Sequence, residues 1–249
     1  TGCKNYAVIK GKQNIGGIIG YGAAGEVSLC ENHGSINSSS WLCGGVVGYL
    51  NGGSISKSLK TGAITGSHVV GGITGRHTGA GAIDQCYNIG NIVGSYTVGG
   101  IAGDSAGSPK NISNCFNTGE IKATSSTGGG LAAGIISSSA SAADSNAPHT
   151  YANCYNVGNV IMVIGDVTLL YPVYAGYKDT GAVPVIENCY YLGTAVSGVT
   201  GGVAKTSSEL SSESILSEWN SEIWEMSTVN GYSYPILKNL QFYLTAPNN

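Results

Sequence analysis

Cysteine is the residue type whose chemistry and spacing stand out in this sequence. The 249 residues include seven cysteines, and six of them occupy one position of a repeated phrase, as in NCFNTGE from Asn114 and NCYNVGN from Asn153. Cysteine can bind a metal as a thiolate or pair as a disulfide, so both chemistries are candidates. Zinc sites use closely paired cysteines such as C-x2-C, and the sequence contains no such pair.

The spacing of the cysteines indicates a structural repeat instead. One column contains Cys3, Cys30, Cys86, Cys115, Cys154 and Cys189, with Ser58 in a missing place and steps of 27, 28, 28, 29, 39 and 35 residues. Free cysteine packs as a small hydrophobe, so one cysteine per repeat suits an inward column. We predict that the column is buried, reduced and free of metal, with a few strained disulfides between adjacent coils as the alternative.

The remaining residues give little support for catalysis or for a cofactor. The four histidines share no column, and neither HExxH nor GxSxG occurs. Sugar-cleaving enzymes use paired carboxylates or clustered basic residues. Here Arg76 is the single arginine, and Asp84, Asp104, Glu120 and Glu187 are assigned to different columns. We predict no catalytic site and no cofactor.

Charge and hydropathy exclude two classes of partner. The net charge of −3 provides no cationic surface for nucleic acid. No apolar run approaches the roughly 18 residues of a membrane-spanning helix. The sequence therefore predicts neither nucleic-acid binding nor membrane insertion.

The position after each cysteine carries the strongest binding signal. It holds Leu59, Tyr87, Phe116, Tyr155 and Tyr190. Because side chains alternate along a strand, an inward cysteine places this row outward. We predict that Tyr87, Phe116, Tyr155 and Tyr190 bind a ligand by stacking on sugar rings or by contacting a protein. The competing interpretation is a ladder of rings that stack on one another, covered by the insertions.

Short strands are the elements that must position these residues. A second phrase alternates with the first, as IGGIIG from Ile15, CGGVVG from Cys43, VGGITG from Val70 and VGGIAG from Val98. A unit of about 28 residues with three apolar segments cannot bury its own core, so units must stack. Forty glycines, a charged fraction of 10% and the lack of helical periodicity favour strands and turns.

The predicted fold class is therefore all-β, a right-handed parallel β-helix or similar β-solenoid of about seven coils. The recurrent glycines are predicted to mark turns with positive φ or close backbone approach, and Gly16, Gly44, Gly71 and Gly99 should stack along one edge. Asparagine recurs two places after the cysteine column and predicts a side-chain ladder. Its members are Asn5, Asn32, Asn88, Asn117 and Asn156.

Three segments depart from the repeat. Residues 137–149 are predicted to form a polar loop, and the more apolar residues 163–176 could fold over a coil face. After residue 202 the pattern changes, and Thr206 and Glu209 have the spacing of a capping box. We divide the chain into a solenoid at 1–202 and a small, partly helical cap with linker at 203–249, the cap being expected to cover the open solenoid end.

The pairing of VGGIAG with NCFNTGE resembles the GLUG-type repeats of bacterial cell-surface proteins, over roughly residues 1 to 203. Proteins with such repeats include large adhesins and non-catalytic regions of some immunoglobulin A peptidases. The resemblance implies an extracellular module of a larger bacterial surface protein, acting as a rigid stalk or an adhesive domain for a host glycan or protein. The alternative is an enzyme, either a glycan-degrading β-helix or the accessory region of a surface peptidase.

Overall fold

The computed structural model describes residues 1–107, 110–125, 130–141, 148–164, 167–169, 171–176, 183–195 and 201–243. Consecutive coils stack so that each strand pairs in parallel with its equivalent in the next coil, as Ile55 does with Ile83 and Ile83 with Ile112. The prediction of a parallel β-solenoid is confirmed. No helix in the described ranges is long and apolar enough to span a membrane.

Each complete coil contributes strands to five sheets, which we name A to E in chain order. Sheet A contains Lys4–Asn5, Glu31–Asn32, Leu59–Lys60, Tyr87–Asn88, Phe116–Asn117, Tyr155–Asn156, Tyr190–Leu192 and Val203–Lys205. Sheet B contains Ile9–Gly11, Ile36–Ser38, Ile64–Thr65, Ile92–Gly94, Ile121–Ala123, Val160–Ile164 and Val167–Leu169. Sheet C contains Ile15–Gly16, Leu42–Gly44, Val69–Gly71, Thr97–Gly99 and Leu131–Ala133.

Sheets D and E complete the coil. Sheet D contains Ile19–Gly22, Val47–Asn51, Thr74–Thr78, Ala102–Gly107 and Ile136–Ser141. Sheet E contains Glu26–Ser28, Ser54–Ser56, Ala82–Asp84, Asn111–Ser113, Thr150–Ala152 and Val185–Glu187. The three apolar segments predict three strands per unit, and this prediction is wrong. The segment at the cysteine column and the segment with the glycine pair each bend sharply into two short strands, so a complete coil has five. The number of coils stays a prediction.

Sharp corners precede the strands of sheet A at the cysteine column, and all of these corners after the first are made without glycine. The residue before each position of the cysteine column adopts positive φ; Gly2 does so before Cys3, and the others are Leu29, Lys57, Gln85, Asn114, Asn153 and Asn188. The cysteine that follows donates its thiol hydrogen to a nearby carbonyl, as Cys115 does to Ser113 over 3.0 Å. Sequence reasoning had placed positive φ at the recurrent glycines. After the first coil, the left-handed residue at this corner is instead asparagine or a longer side chain.

The glycines of the second phrase serve close backbone approach. Gly16, Gly44, Gly71 and Gly99 are paired in register, so their predicted stacking is confirmed. A Cβ atom on Gly44 would lie 1.9 Å from the carbonyl oxygen of Val47. No side chain fits there, because sheets C and D meet with their backbones in contact.

Two apolar clusters fill the coils, and a polar ladder separates them. The larger cluster includes the five buried cysteines of the column, the centre of sheet E and part of sheet D, and the smaller one, which contains Cys43, lies between sheets B and C. Between them, the Asn88 Nδ2 atom donates to Asn117 Oδ1 over 2.7 Å, and Asn117 Nδ2 donates to Asn156 Oδ1 over 2.8 Å. The predicted asparagine ladder is confirmed for these coils.

Lys60 replaces asparagine in one rung of this ladder. Its side chain is fully buried, its methylenes pack on Gly45, and its ammonium donates to the carbonyl oxygens of Gly34 and Gly62. The amides of the asparagine rungs make the equivalent bond to a glycine two residues on. Burial lowers the pKa of Lys60 to about 7, although the nearby Cys43 thiol raises it slightly.

Both insertions are partly strand. Ile136–Ser141 belongs to sheet D, so the predicted loop at 137–149 is wrong for its first residues, and residues 142–147 lie outside the described ranges. In the second insertion, Val160–Ile164 and Val167–Leu169 form an antiparallel pair. Val173 of the same insertion lies in the larger core, where it is fully buried, and its carbonyl accepts a hydrogen bond from the Ile135 N–H.

The C-terminal segment lies along the side of the solenoid. It begins with Val203–Lys205, which extends sheet A, followed by helix Ser207–Leu210 with the predicted Thr206–Glu209 capping box. A 3-10 helix at Glu213–Glu218 and an antiparallel pair of Trp224–Met226 with Pro235–Leu237 follow. Most of the segment packs on the outer face of sheet A, while its first strand pairs with Tyr190–Leu192 at the end of that sheet and Ala204 packs against the larger core. The division of the chain at residue 202 stays a prediction.

Candidate functional site

The predicted aromatic row lies on the outer face of sheet A, as the alternation of side chains requires. Its rings stack at coil spacing, with centroids 4.9 Å apart between Tyr87 and Phe116 and 5.1 Å apart between Phe116 and Tyr155. The row is nevertheless buried: Tyr87, Phe116, Tyr155 and Tyr190 are between 0% and 3% exposed. The expectation that these rings face solvent is wrong.

The C-terminal segment covers the row. Trp219 and Trp224 pack against Tyr155, and Phe242 packs against Phe116 and Tyr87. Polar edges of the rings are also bonded, since the Tyr155 hydroxyl donates to the carbonyl of Pro235 and the Tyr87 hydroxyl to that of Gln241, each over 2.5 Å. Ligand binding by this row stays a prediction, and its precondition, exposure, is not met while the segment is in place.

A polar cluster on the first coils binds Tyr243, at the end of the described part of this segment. The Glu31 carboxylate is 2.9 Å from Lys4 Nζ and 2.9 Å from His33 Nε2, and the Tyr243 hydroxyl donates to it over 3.2 Å. Burial alone would raise the pKa of Glu31. The hydrogen bonds from Lys4 and His33 outweigh that effect, so the pKa lies below its usual value.

This cluster contains a chain of groups with the connectivity of a catalytic relay. The Thr61 hydroxyl lies 2.9 Å from His33 Nδ1, and the opposite ring nitrogen contacts Glu31. A nucleophile must meet its substrate, however, and Thr61 is buried while the Tyr243 ring lies against the His33 ring with centroids 4.8 Å apart. The chain of hydrogen bonds therefore serves to hold the C-terminal segment in place.

Five cysteines form the predicted interior column, whereas its first member, Cys3, is exposed and Cys43 lies on sheet C. Cys30, Cys86 and Cys115 are buried, which confirms the prediction, and all seven cysteines are free thiols. Burial raises the pKa of Cys115, and it raises the pKa of Cys43 to about 12. Protonated thiols are weak nucleophiles and poor metal ligands. Within the described ranges, no group of three or more metal-ligating side chains comes together.

A second aromatic row, which the sequence analysis missed, remains exposed at the corner between sheets B and C. It consists of Trp41, His68 and Tyr96, and we call it the corner row. The ring centroids are 4.7 Å apart between Trp41 and His68 and 5.0 Å apart between His68 and Tyr96, and both pairs are stacked. Trp41 is 54% exposed and Tyr96 38%.

The strands of sheet C set the register of the corner row. Val69 pairs with Leu42 and with Thr97, so the residues that precede these three strand positions stack as well. His68 Nδ1 lies 3.0 Å from the Ser67 hydroxyl, which orients the imidazole in the stack. The sequence does contain a signal for this row, since each ring stands two places before the C/V-G-G phrase.

Asp84, Asp104 and Glu187 do not assemble into a catalytic pair. Asp84 and Glu187 were assigned to different columns, but both lie in one column of sheet E, with Ser113 and Ala152 between them. Three coil steps separate them by about 14 Å, whereas paired carboxylates of glycosidases lie roughly 5–9.5 Å apart. Asp104 lies on sheet D and binds Arg76 Nε over 2.7 Å.

Comparison with known proteins identifies one similar fold. A crystal structure described as that of "a putative immunoglobulin A1 protease from Bacteroides ovatus" superposes with a TM-score of 0.62, at 22% sequence identity, over 94% of this chain and 74% of that one. Identity at this level supports a shared fold alone. No protein-family model and no curated protein match the chain, so the resemblance to GLUG-type repeats stays a prediction.

Proposed function

We propose that this chain is a non-catalytic module of an extracellular bacterial surface protein, and that it works as a rigid support which presents the corner row to a host glycan. The observation that carries the proposal is the stacking of three rings on consecutive coils, of which Trp41 and Tyr96 are exposed and His68 is half-buried. The surrounding solenoid is held by parallel ladders in five sheets, so the rings keep a fixed spacing.

A carbohydrate suits the corner row chemically. Exposed Trp and Tyr rings offer apolar surface for the C–H faces of a sugar, together with N–H and O–H groups at their edges. A rigid row lowers the entropy lost on binding. Several weak sites of this kind, repeated on a cell surface, give useful avidity.

A glycan array probed with the labelled protein tests this proposal. Replacing Trp41 and Tyr96 together by Ala should weaken glycan binding by about tenfold or more, since each ring contributes about 0.5–1.5 kcal/mol beyond its buried area. Tyr21→Ala is the matched control, because Tyr21 is an exposed ring on sheet D. Equal binding by the double variant and the parent would exclude the corner row.

Of the pockets in the described ranges, two are lined by carboxylates, Glu209 with Glu218 and Glu26 with Asp84, and another has no carboxylate. A depression of about 380 Å³ lies where the asparagine ladder ends, and it is lined by residues such as Asn156, Pro172, Tyr191 and Leu192. Its lining includes no carboxylate, imidazole or amine. General acid–base cleavage of a glycan has no evident acid or base there.

The fold comparison favours a second candidate, an accessory region of a surface peptidase that holds the substrate protein. The first protein to test as a partner is immunoglobulin A1, because the protein of similar fold is described as a putative immunoglobulin A1 protease. Biolayer interferometry with immobilised immunoglobulin A1 should give saturable binding that Trp41→Ala weakens. If the protein does not bind immunoglobulin A1 at concentrations that saturate a glycan ligand, the second candidate is excluded and the glycan-binding function remains.

A further inference from the structure

Four buried polar side chains gather at the interior corner between sheets D and E. His77, Ser105, Lys110 and His149 are each 0% or 1% exposed. Within the part of the chain that the structure describes, His77 Nδ1, Ser105 Oγ, Lys110 Nζ and His149 Nε2 have no hydrogen-bond partner. Buried polar atoms are nearly always satisfied, so four such atoms in one corner indicate that something else occupies the space between them.

The strand register brings the four side chains together. His77 and Ser105 are paired residues of neighbouring strands in sheet D. Lys110 and His149 precede paired strands of sheet E, and the Lys110 backbone N–H donates to His149 Nδ1 over 3.1 Å. His77 Nε2 bonds to the carbonyl of Gly53, at the same corner. Adjacent coils are about 4.8 Å apart, so the group spans three successive coils.

The charge at this corner is positive, and no carboxylate of the described ranges forms an ion pair with it. The salt bridges of the described ranges are Lys4–Glu31, His33–Glu31 and Arg76–Asp104, and none of them includes Lys110. Burial lowers the pKa of Lys110 to about 8, so the ammonium is still the main form at pH 7. An unpaired ammonium in the interior carries a large desolvation cost, which a counter-ion removes.

The tautomers define which atoms can donate. His149 accepts the Lys110 N–H at Nδ1, so its neutral ring carries hydrogen on Nε2. Burial, followed by repulsion from Lys110, lowers the pKa of His149 and keeps that ring neutral. His77 donates through Nε2 to Gly53 and leaves only a lone pair on Nδ1, so it bounds the site without donating.

We propose that Lys110, His149 and Ser105 bind a small monatomic anion, chloride under physiological conditions, inside the solenoid. Three donors on separate side chains from two coils suit a spherical ion. A planar oxyanion is usually held by a bidentate group such as arginine, and Arg76 lies on sheet D bound to Asp104. The anion would neutralise Lys110 and join successive coils at a corner where the earlier coils have glycine, at Gly25, Gly53 and Gly81.

Bromide provides a direct test in the native protein. Crystals grown or soaked in sodium bromide should show an anomalous peak within about 3.5 Å of Lys110 Nζ and His149 Nε2. A peak height typical of water, with no anomalous signal, would overturn the proposal in favour of an internal water cluster.

Thermal unfolding supplies the second test. Replacing gluconate by chloride at constant ionic strength should raise Tm by roughly 3–6 °C when the chloride concentration is about ten times Kd. Lys110→Met should abolish the chloride effect. Lys60→Met is the matched control, because Lys60 is equally buried but already bonded to two carbonyls, so its chloride response should be that of the parent. A chloride effect that persists in Lys110→Met would refute the site.

Discussion

Two rows of stacked aromatic rings run along this solenoid, and they have opposite surroundings. The row on sheet A is covered by the C-terminal segment and is at most 3% exposed, whereas Trp41 and Tyr96 of the corner row are 54% and 38% exposed. Ring spacing is the same in both, close to the distance between coils. Periodic stacking therefore identifies an aromatic row without telling whether the row is core or surface.

The difference arises from what lies beside each row. The sheet A row meets two tryptophans and a phenylalanine of the C-terminal segment, and its hydroxyls find carbonyl acceptors there. Burying these rings without acceptors would carry a cost for each hydroxyl. The row on sheet A is thus the floor of a second hydrophobic core, and the corner row is a surface available to a partner.

The largest difference in stability between the two rows should come from replacing one tryptophan beside each row by alanine. Trp224→Ala removes a fully buried ring that packs on Phe116 and Tyr155, and it should lower the free energy of unfolding by about 3–5 kcal/mol. Trp41→Ala should change it by less than about 1 kcal/mol. Urea unfolding of the two variants measures both. Similar losses would contradict the division into core and surface.

Lys60 lies in the interior of a coil that carries Leu59 of the sheet A row and His68 of the corner row. It tests whether a charged rung of the asparagine ladder weakens the solenoid that supports both rows. The folded pKa of about 7 lies below the unfolded value near 10.5, so between these limits the unfolded chain binds more protons. Stability should therefore rise with pH above 7 by up to about 1.4 kcal/mol per pH unit, and the penalty is fully present below pH 7. Lys60→Asn should remove this part of the slope between pH 7 and 9 and stabilise the protein at neutral pH.

Urea midpoints of parent and Lys60→Asn across that pH range provide the measurement. Lys110 contributes a slope of the same sign, since its folded pKa is also lowered, and it is common to both proteins. Identical slopes in the two proteins would show that Lys60 is not titrating in this window.

Tyrosine hydroxyls sharpen the comparison at a smaller scale. Tyr155→Phe removes an O–H group bonded to Pro235 and to the Tyr232 hydroxyl, and should lower the free energy of unfolding by about 1–2 kcal/mol. Tyr96→Phe should leave it within about 0.5 kcal/mol. Chemical unfolding of the pair reports the difference, and an unchanged Tyr155→Phe would show that water replaces the lost bonds.

The smallest effect is expected at the far end of the covered row. The depressed pKa of Glu31 means that its contribution is complete above the unfolded value near 4.5 and is lost as pH falls through the folded value. Between pH 6 and pH 3, hydrogen exchange at the Tyr243 amide, which bonds to Tyr87, should lose protection. The Val69 amide beside the corner row, bonded to Trp41, is the internal reference and should keep its protection.

The sequence by itself determined the repeat, the parallel β-solenoid and the columns inside it. Cys86, Ile83 and Asn88 fall in interior columns because every coil must pair with its neighbours in the same register. The repeated sequence specifies that register in each unit. The capping box at Thr206 was visible for the same reason, since its contacts span three residues.

Only the tertiary structure decided which row is exposed and what gathers in the interior. Trp224 contacts Phe116 across more than a hundred residues, and no periodic pattern encodes where an irregular segment will pack. The corner of His77, Lys110 and His149 breaks the repeat, so each residue looks isolated in the sequence until the coils bring them together. Repetition specifies local register, whereas packing between unlike segments depends on the shape and chemistry of the whole surface that folding creates.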